Sequence, residues 1–375
     1  MKISINSRPT AIRSCTVLAL SVFAFAMSSF AADGPASGDS AETNLEARTL
    51  AVNQLFAQWD NTNSAGMAVA VVKDGKTVFR RGFGMAEIEA GRAITPETVF
   101  DAASLAKQFT GFAISTLIEQ KKLAADDDIR KYLPELPEYD KVITIGHLLR
   151  HTSGLRNWSG TYRPASLTVT GIVALVALEK AVDFAPGDEH RYSNTGYNIL
   201  AAIVERVTGQ PLQIWMSENV FKPLSMTRTR LRDDLGVPVD DFACAYQTNN
   251  AGVYVKQGVG LAPLGSSSLY TTADDFAKWL ANFDSARVGG AGVLARMQEP
   301  GTLNNGKKVN YGYGLFLGEY RGKGVLSHVG AWGYRSYFYY YTGEKLGIVV
   351  LSNNGNADTG RLASQIAKLW LGEAK

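Results

Sequence analysis

The stretch Phe100–Phe112, FDAASLAKQFTGF, places a serine and a lysine three residues apart at the start of an apolar helical pattern. On a helix, residues i and i+3 are neighbours with β-carbons about 5–6 Å apart, so Ser104 and Lys107 share one face. Leu105, Phe109 and Phe112 turn an apolar stripe toward the interior, which desolvates Lys107 and lowers its pKa. A lysine that gives up its proton readily can act as base for serine, whose own hydroxyl is a poor nucleophile. The helix N-terminus adds partial positive charge beside the reacting oxygen. Taken alone, S-x-x-K is a weak signal, because both residue types are common at ordinary helix starts.

Two further clusters strengthen it. Tyr192-Ser193-Asn194, in GDEHRYSNTGYN, stands before a helical pattern over Tyr197–Thr208. A tyrosine there can share a proton with Ser104 and Lys107, and an asparagine amide can hold a substrate carbonyl. His328-Val329-Gly330 ends a β-rich run and is followed by Ala331-Trp332-Gly333. An edge strand with glycine at that point can bring backbone N–H groups close to a bound acyl group.

Other candidates fall to simpler readings. His147 and His151 in HLLRH have the i, i+4 spacing of a zinc-binding helix, but the glutamate of HExxH is missing and a structural role is expected. His190 reads as a surface residue. Asp126-Asp127-Asp128 lacks EF-hand spacing and reads as a solvated helix start. No G-x-S-x-G elbow occurs, which counts against an α/β-hydrolase. Of the aromatic residues from Trp332 to Tyr340, strand alternation assigns most to core or surface and leaves Trp332 as the pocket candidate. No metal and no cofactor is expected.

These residues need elements to hold them. Ser40–Trp59 has helical spacing, and Met67–Val72 with Thr77–Phe83 flank Asp74-Gly75, a type I′ hairpin signal. Helical patterns follow over Ser104–Leu123, Ile145–His151, Leu167–Lys180 and Tyr197–Thr208, with Gly154 and Gly209 at C-cap positions. Strands return over Gly324–Val329, Ser336–Tyr341 and Leu346–Ser352, and a closing helix runs from an Asp358 N-cap to about Leu371. Strands at both ends around a helical middle imply an α+β fold: one antiparallel sheet built from both ends of the chain, with a mainly helical inserted lobe and the site in the cleft between them. The expected sheet lobe covers about 45–103 and 262–375, and the helical lobe about 104–261.

The 375 residues are 46% hydrophobic and 19% charged, an ordinary globular balance. Lys2, Arg8 and Arg13, the apolar run TVLALSVFAFAM and the small residues of SSFAA read as a secretory signal peptide over 1–31, with 32–375 as a single catalytic domain. That apolar run falls short of the ~20 residues a membrane span needs, so no stable span is expected once the signal is removed. The formal charge of +3 rests on the three bases of that segment, which carries no acids; the remainder is near neutral. Nucleic acid is therefore a poor partner. Cys15 lies within the signal and Cys244 is left alone, so no intramolecular disulfide is expected. A periplasmic or secreted monomer is the expectation.

In their order along the chain, Ser104-x-x-Lys107, Tyr192-x-Asn194 and His328-x-Gly330 resemble the three motifs of the serine β-lactamase and penicillin-binding-protein superfamily. The similarity is to the class C β-lactamase-like branch, with its D-alanyl-D-alanine carboxypeptidases, D-aminopeptidases and family VIII carboxylesterases. The flanking stretches GFGMAE, TPETVF, HLLRHTSGL, PGDEHRYSN, FKPLSMTRT and GIVVLSNN agree, and the resemblance runs from about Gly66 to Asn354. It implies a β-lactamase/transpeptidase-like fold. Ser104 would be the acylated nucleophile, Lys107 and Tyr192 the proton-transfer pair, and Asn194 a positioning amide. The N–H groups of Ser104 and Ala331 would form the oxyanion hole, with His328, Gly330 and Trp332 binding substrate.

In true β-lactamases the third motif is usually Lys-Thr/Ser-Gly, whose cation and hydroxyl hold a substrate carboxylate. Val329 has no hydroxyl, and a histidine of unperturbed pKa about 6.5 is mostly neutral at pH 7. Carboxylate recognition would then fall to Arg335, and short neutral esters or amides fit better than β-lactams. The expected activity is that of a serine hydrolase acting through an acyl-enzyme on a small ester, amide or D-amino-acid peptide. A D-alanyl-D-alanine carboxypeptidase, a weak class C-like β-lactamase and a non-hydrolysing penicillin-binding cell-wall sensor are the alternatives.

Overall fold

The computed structural model describes residues 38–158, 168–234, 238–258, 260 and 263–372; the expected signal segment and Cys15 lie outside them. The chain divides into two units, Met1–Thr43 and Asn44–Lys375. Of the first, the described part is the opening of helix α1 (Gly38–Phe56); the sheet and the site belong to the second.

A six-stranded antiparallel sheet organises the molecule. Its strands are β1 (Met67–Lys73), β2 (Lys76–Phe83), β3 (Phe316–Tyr320), β4 (Lys323–Ala331), β5 (Arg335–Tyr341) and β6 (Leu346–Ser352), in the order β3-β4-β5-β6-β1-β2. The two ends of the chain meet where β1 pairs with β6, from Met67–Ser352 to Lys73–Leu346. Asp74 and Gly75 join β1 to β2 with φ of 50° and 73°, both left-handed as the type I′ turn demands. β1 and β6 are buried on both faces, which is why MAVAVV and LGIVVLS read as continuous apolar runs rather than alternations.

The two faces of the sheet nonetheless differ. Met67, Val69 and Val71 of β1, with Ile348 and Val350 of β6, pack under Val52 and Phe56 of α1 and Leu362, Ala363 and Ile366 of the C-terminal helix Thr359–Leu371. Asp358 caps that helix by accepting a hydrogen bond from the Arg361 N–H. Ala68, Ala70, Val349, Leu351 and Phe338 face the other way, into the larger core built by the helical middle. There α2 (Ala106–Glu119) is buried almost all round. Against it packs α5 (Asn194–Thr208), ended by Gly209 at φ 70°, and on α5 in turn pack α3 (Ile145–Leu149) and α4 (Val169–Ala177).

Two expectations change here. β4 is not an edge strand, since β3 lies outside it. The last β3–β4 pair, however, is Phe316–Ser327, so His328–Ala331 overhang β3 and offer a local edge. The helix after the tyrosine motif begins at Asn194 rather than Tyr197, which places Asn194 in its first turn.

Candidate active site

Ser104 sits in a 3₁₀ turn, Ala103–Leu105, that runs directly into α2. Three grips fix that turn. The Ala102 N–H donates to the Leu269 carbonyl at 2.7 Å, and the Ala102 carbonyl accepts from Ser336 Oγ at 2.8 Å. The third is Asp101, whose Oδ1 accepts the Ala103 N–H at 2.8 Å while Ala103 holds φ 50°, a strained value for alanine. Gly330 of β4 lies against the same turn. A β-carbon there would stand 2.0 Å from Ser336 Oγ and 2.2 Å from the Ala102 carbonyl oxygen, so only glycine lets the strand approach.

Lys107 is fully buried. Its Nζ lies 3.1 Å from Ser104 Oγ, 2.7 Å from Asn194 Oδ1 and 2.8 Å from the Ser266 carbonyl oxygen. No carboxylate pairs with it among the described ion pairs. Burial therefore pushes its amine well below the ordinary lysine range. The faces of Tyr192 and Tyr197, at 4.8 and 5.6 Å, favour the cation but do not replace a counter-charge. A neutral amine has two N–H groups and one lone pair. With Asn194 and Ser266 taking the two hydrogens, the lone pair is left for the Ser104 hydroxyl.

Burial pushes the Tyr192 phenol up, with its hydrogen bond to Ser104 opposing, so at neutral pH it carries its proton. Asn194 spends its oxygen on Lys107, which leaves Nδ2 to meet a substrate carbonyl. The sequence contained no separate pointer to Ser266. Its carbonyl is placed by Asn198, whose two Nδ2 hydrogens are shared among Leu264 O, Ser266 Oγ and Pro263 O, and by Thr110 Oγ1 donating to Gly265 O. Asn198 lies one helical turn beyond Asn194 on α5, and that spacing is the signal that could have found it.

The third motif divides. His328 is expected to bind substrate, yet it is fully buried, because it shares the inner-face parity of Leu326 and Gly330. Burial pushes its imidazole down to about 3. Nδ1 lies 2.7 Å from the Val329 carbonyl and Nε2 lies 2.9 Å from the Tyr311 hydroxyl. Nδ1–H therefore donates to the carbonyl and Nε2 accepts from Tyr311, a tautomer assigned from those partners. His328 holds the overhanging strand instead of facing a ligand. Val329 and Ala331 alternate to the exposed side.

Trp332 is 37% exposed and donates Nε1–H to the Gly260 carbonyl at 3.4 Å. With Tyr334, Ala245, Gln247, Gln257 and Gly260 it borders a cavity of about 370 Å³ that begins one residue past Ala331. Arg335 does not converge on the site. Its parity is that of Tyr337 and Tyr339, which pack on the helix-covered face, and its Nη1 bonds the Tyr334 carbonyl. His147 and the acidic run serve as caps: His147 completes a capping box with Thr144, and Asp128 caps the turn Ile129–Lys131. His190 is exposed, and Cys244 is half-buried.

Comparison with known proteins places the chain in a family. Residues 52–369 match the Beta-lactamase family. D-aminopeptidase from Brucella canis is 28% identical over 323 residues, 84% of this chain, which spans 61% of that relative's length. The octameric penicillin-binding protein homologue from Pyrococcus abyssi superposes with a TM-score of 0.76 at 26% identity, over 88% of this chain and 78% of that one. EstCE1, a hydrolase with promiscuous acyltransferase activity, gives a TM-score of 0.73 at 23% identity, over 89% and 100% of the two chains. The match over 52–369 takes in β1, the Ser104 turn, α5 and β4 alike, and the chain belongs to the beta-lactamase family.

Proposed function

We propose that this chain is a serine hydrolase that works through an acyl-enzyme on small neutral esters or D-amino-acid amides. The observation that carries the reading is the buried, uncompensated Lys107 amine 3.1 Å from Ser104 Oγ. Ser104 Oγ attacks the substrate carbonyl carbon as its proton passes to the Lys107 lone pair. The bond to the leaving oxygen or nitrogen breaks as a proton delivered through Tyr192 caps it. The N–H groups of Ser104 and Ala331 hold the negative oxygen meanwhile. Water then splits the acyl–Oγ bond, releasing the acid and restoring Ser104.

The cavity that opens at Trp332, one residue past Ala331 on β4, supports the substrate class. The cavity beside Trp332 is lined by aromatic, small and carboxamide residues, with no charged side chain among its described lining. Arg335 lies on the other face of the sheet. Nothing there favours a substrate that carries a fixed carboxylate, and the D-aminopeptidase relatives lend the amide side of the reading its weight. We infer further that residues 32–375 act as one catalytic domain outside the cytoplasm. The support is the signal-like 1–31 segment and the single family match over residues 52–369.

A panel of p-nitrophenyl acetate and butyrate, D-alanine p-nitroanilide and nitrocefin tests this. Multiple turnovers of the esters or the anilide, each faster than nitrocefin, are expected. Preference for nitrocefin would overturn the substrate class. A single acylation without turnover would make the protein a penicillin-binding sensor.

A further inference from the structure

His151 belongs to none of the three motifs, yet it sits directly behind Tyr192. It follows α3 with φ 58°, a left-handed value uncommon outside glycine, and it is 1% exposed. Its ring Nδ1 accepts the Ser193 N–H at 3.1 Å, and its own carbonyl accepts the Arg191 N–H at 2.9 Å. The two bonds fall on the residues either side of Tyr192. The ring itself lies 4.3 Å from the Tyr192 ring, with Tyr311 at 4.5 Å and Tyr197 at 5.1 Å behind it. Among the described residues its Nε2 is buried without a hydrogen-bond partner, so Nδ1 makes the ring's one hydrogen bond, to the residue after Tyr192.

We propose that His151 is the positioning residue for Tyr192: its carbonyl and its ring pin the backbone on both sides of the tyrosine and hold the phenol over Lys107 and Ser104. The proposal rests on the reading of those three as the reacting set. The strained backbone of His151 is what lets one residue reach Arg191 with its carbonyl and Ser193 with its side chain. Burial pushes the imidazole well below its ordinary range, and the Ser193 N–H bond makes Nδ1 the unprotonated, accepting nitrogen. A misplacement of the phenol by about 1 Å is enough to cost on the order of 100-fold in rate.

The substitutions separate the bracket from simple filling. His151→Phe keeps a ring but loses the acceptor. His151→Asn keeps an acceptor near the Nδ1 position and tolerates a left-handed backbone. The readout is the rate and final stoichiometry of labelling by a fluorophosphonate, in wild-type and Tyr192→Phe backgrounds. His151→Phe is expected to label to full stoichiometry about 100-fold more slowly, and His151→Asn to recover to within about tenfold. In the Tyr192→Phe background His151→Phe should cost less than about twofold, since residues acting as a unit are not additive. Should His151→Phe not fold, His151→Gln, whose longer chain displaces the acceptor, takes its place in the cycle with the same pattern expected. Equal losses in the two backgrounds, or wild-type rates in the single variants, would overturn the role of His151. An unlabelled Ser104 in the wild type would instead overturn the reading of the site.

Discussion

The two faces of one sheet make the sharpest contrast in the molecule. On the face covered by α1 and the C-terminal helix, Val69, Val71, Ile348 and Val350 meet Val52, Phe56, Leu362 and Ile366. That face contains no buried charged or imidazole side chain among the described residues. On the other side, around the larger core, lie Asp101, Lys107, His151, Asp275 and His328, all buried. Burying such groups costs stability unless each is paired or bonded, so a fold selected for stability alone would look like the first face. The fold gives up stability for chemistry on the second face alone, and substitutions can hit one face without the other.

The largest effect on the polar face should come from the proton-transfer pair. Lys107→Ala and Tyr192→Phe are each expected to lower kcat by about 10²–10⁴, and the double variant to be little worse than either alone. Fully multiplicative losses would separate the two roles. On the dry face the signs reverse. Ile348→Ala should cost about 2–5 kcal/mol of stability by urea unfolding, while kcat of the folded fraction stays within about twofold. A large fall in kcat there would show that the faces are coupled.

The polar face should also give the protein its pH dependence. His328 has its folded pKa pushed from 6.5 to about 3, so the unfolded chain binds the proton first. Its contribution to stability is present above pH 6.5 and is lost as pH falls toward 3. Asp101 works the other way. Burial raises it to about 7 against the Ala103 N–H bond and Arg232, so its contribution is present below 3.8 and lost as pH rises toward 7. Asp101→Asn should therefore remove a decline in Tm between pH 4 and 7 while leaving the acid-side loss in place. An unchanged profile would mean that Asp101 does not titrate in that range.

The smallest effect expected is that of Arg335. Its strand parity assigns it to the dry face, so Arg335→Ala should change kcat/KM for nitrocefin and for p-nitrophenyl acetate by less than about twofold. A tenfold loss confined to nitrocefin would show that the long side chain reaches round to the cleft.

Where local rules governed, the sequence was legible. Asp74-Gly75 announced the β1–β2 hairpin, Asp358 announced the last helix, and the three motifs pointed to Ser104, Lys107, Tyr192 and Asn194 because each is encoded in a few adjacent residues. Facing was harder. A strand's alternation is readable, but which parity faces the nucleophile depends on the sheet's packing; this is why His328 turned out buried and Arg335 turned away. The supporting residues were hidden for a related reason. Ser266 reaches Lys107 across 159 positions of sequence, and His151 reaches Ser193 across 42, contacts that exist only once the helical middle has closed on the sheet. The start of α5 was missed because Asn194-Thr195-Gly196 is a weak helix former by propensity; tertiary contacts, including the Lys107 bond to Asn194, override it.

The nucleophilic role of Ser104 is read directly by intact-protein and peptide mass spectrometry after exposure to a fluorophosphonate. One adduct per chain is predicted, located on the peptide that contains Ser104, formed by the wild type and absent from Ser104→Ala of unchanged fold. An adduct on another residue, or an equal adduct on Ser104→Ala, would contradict it.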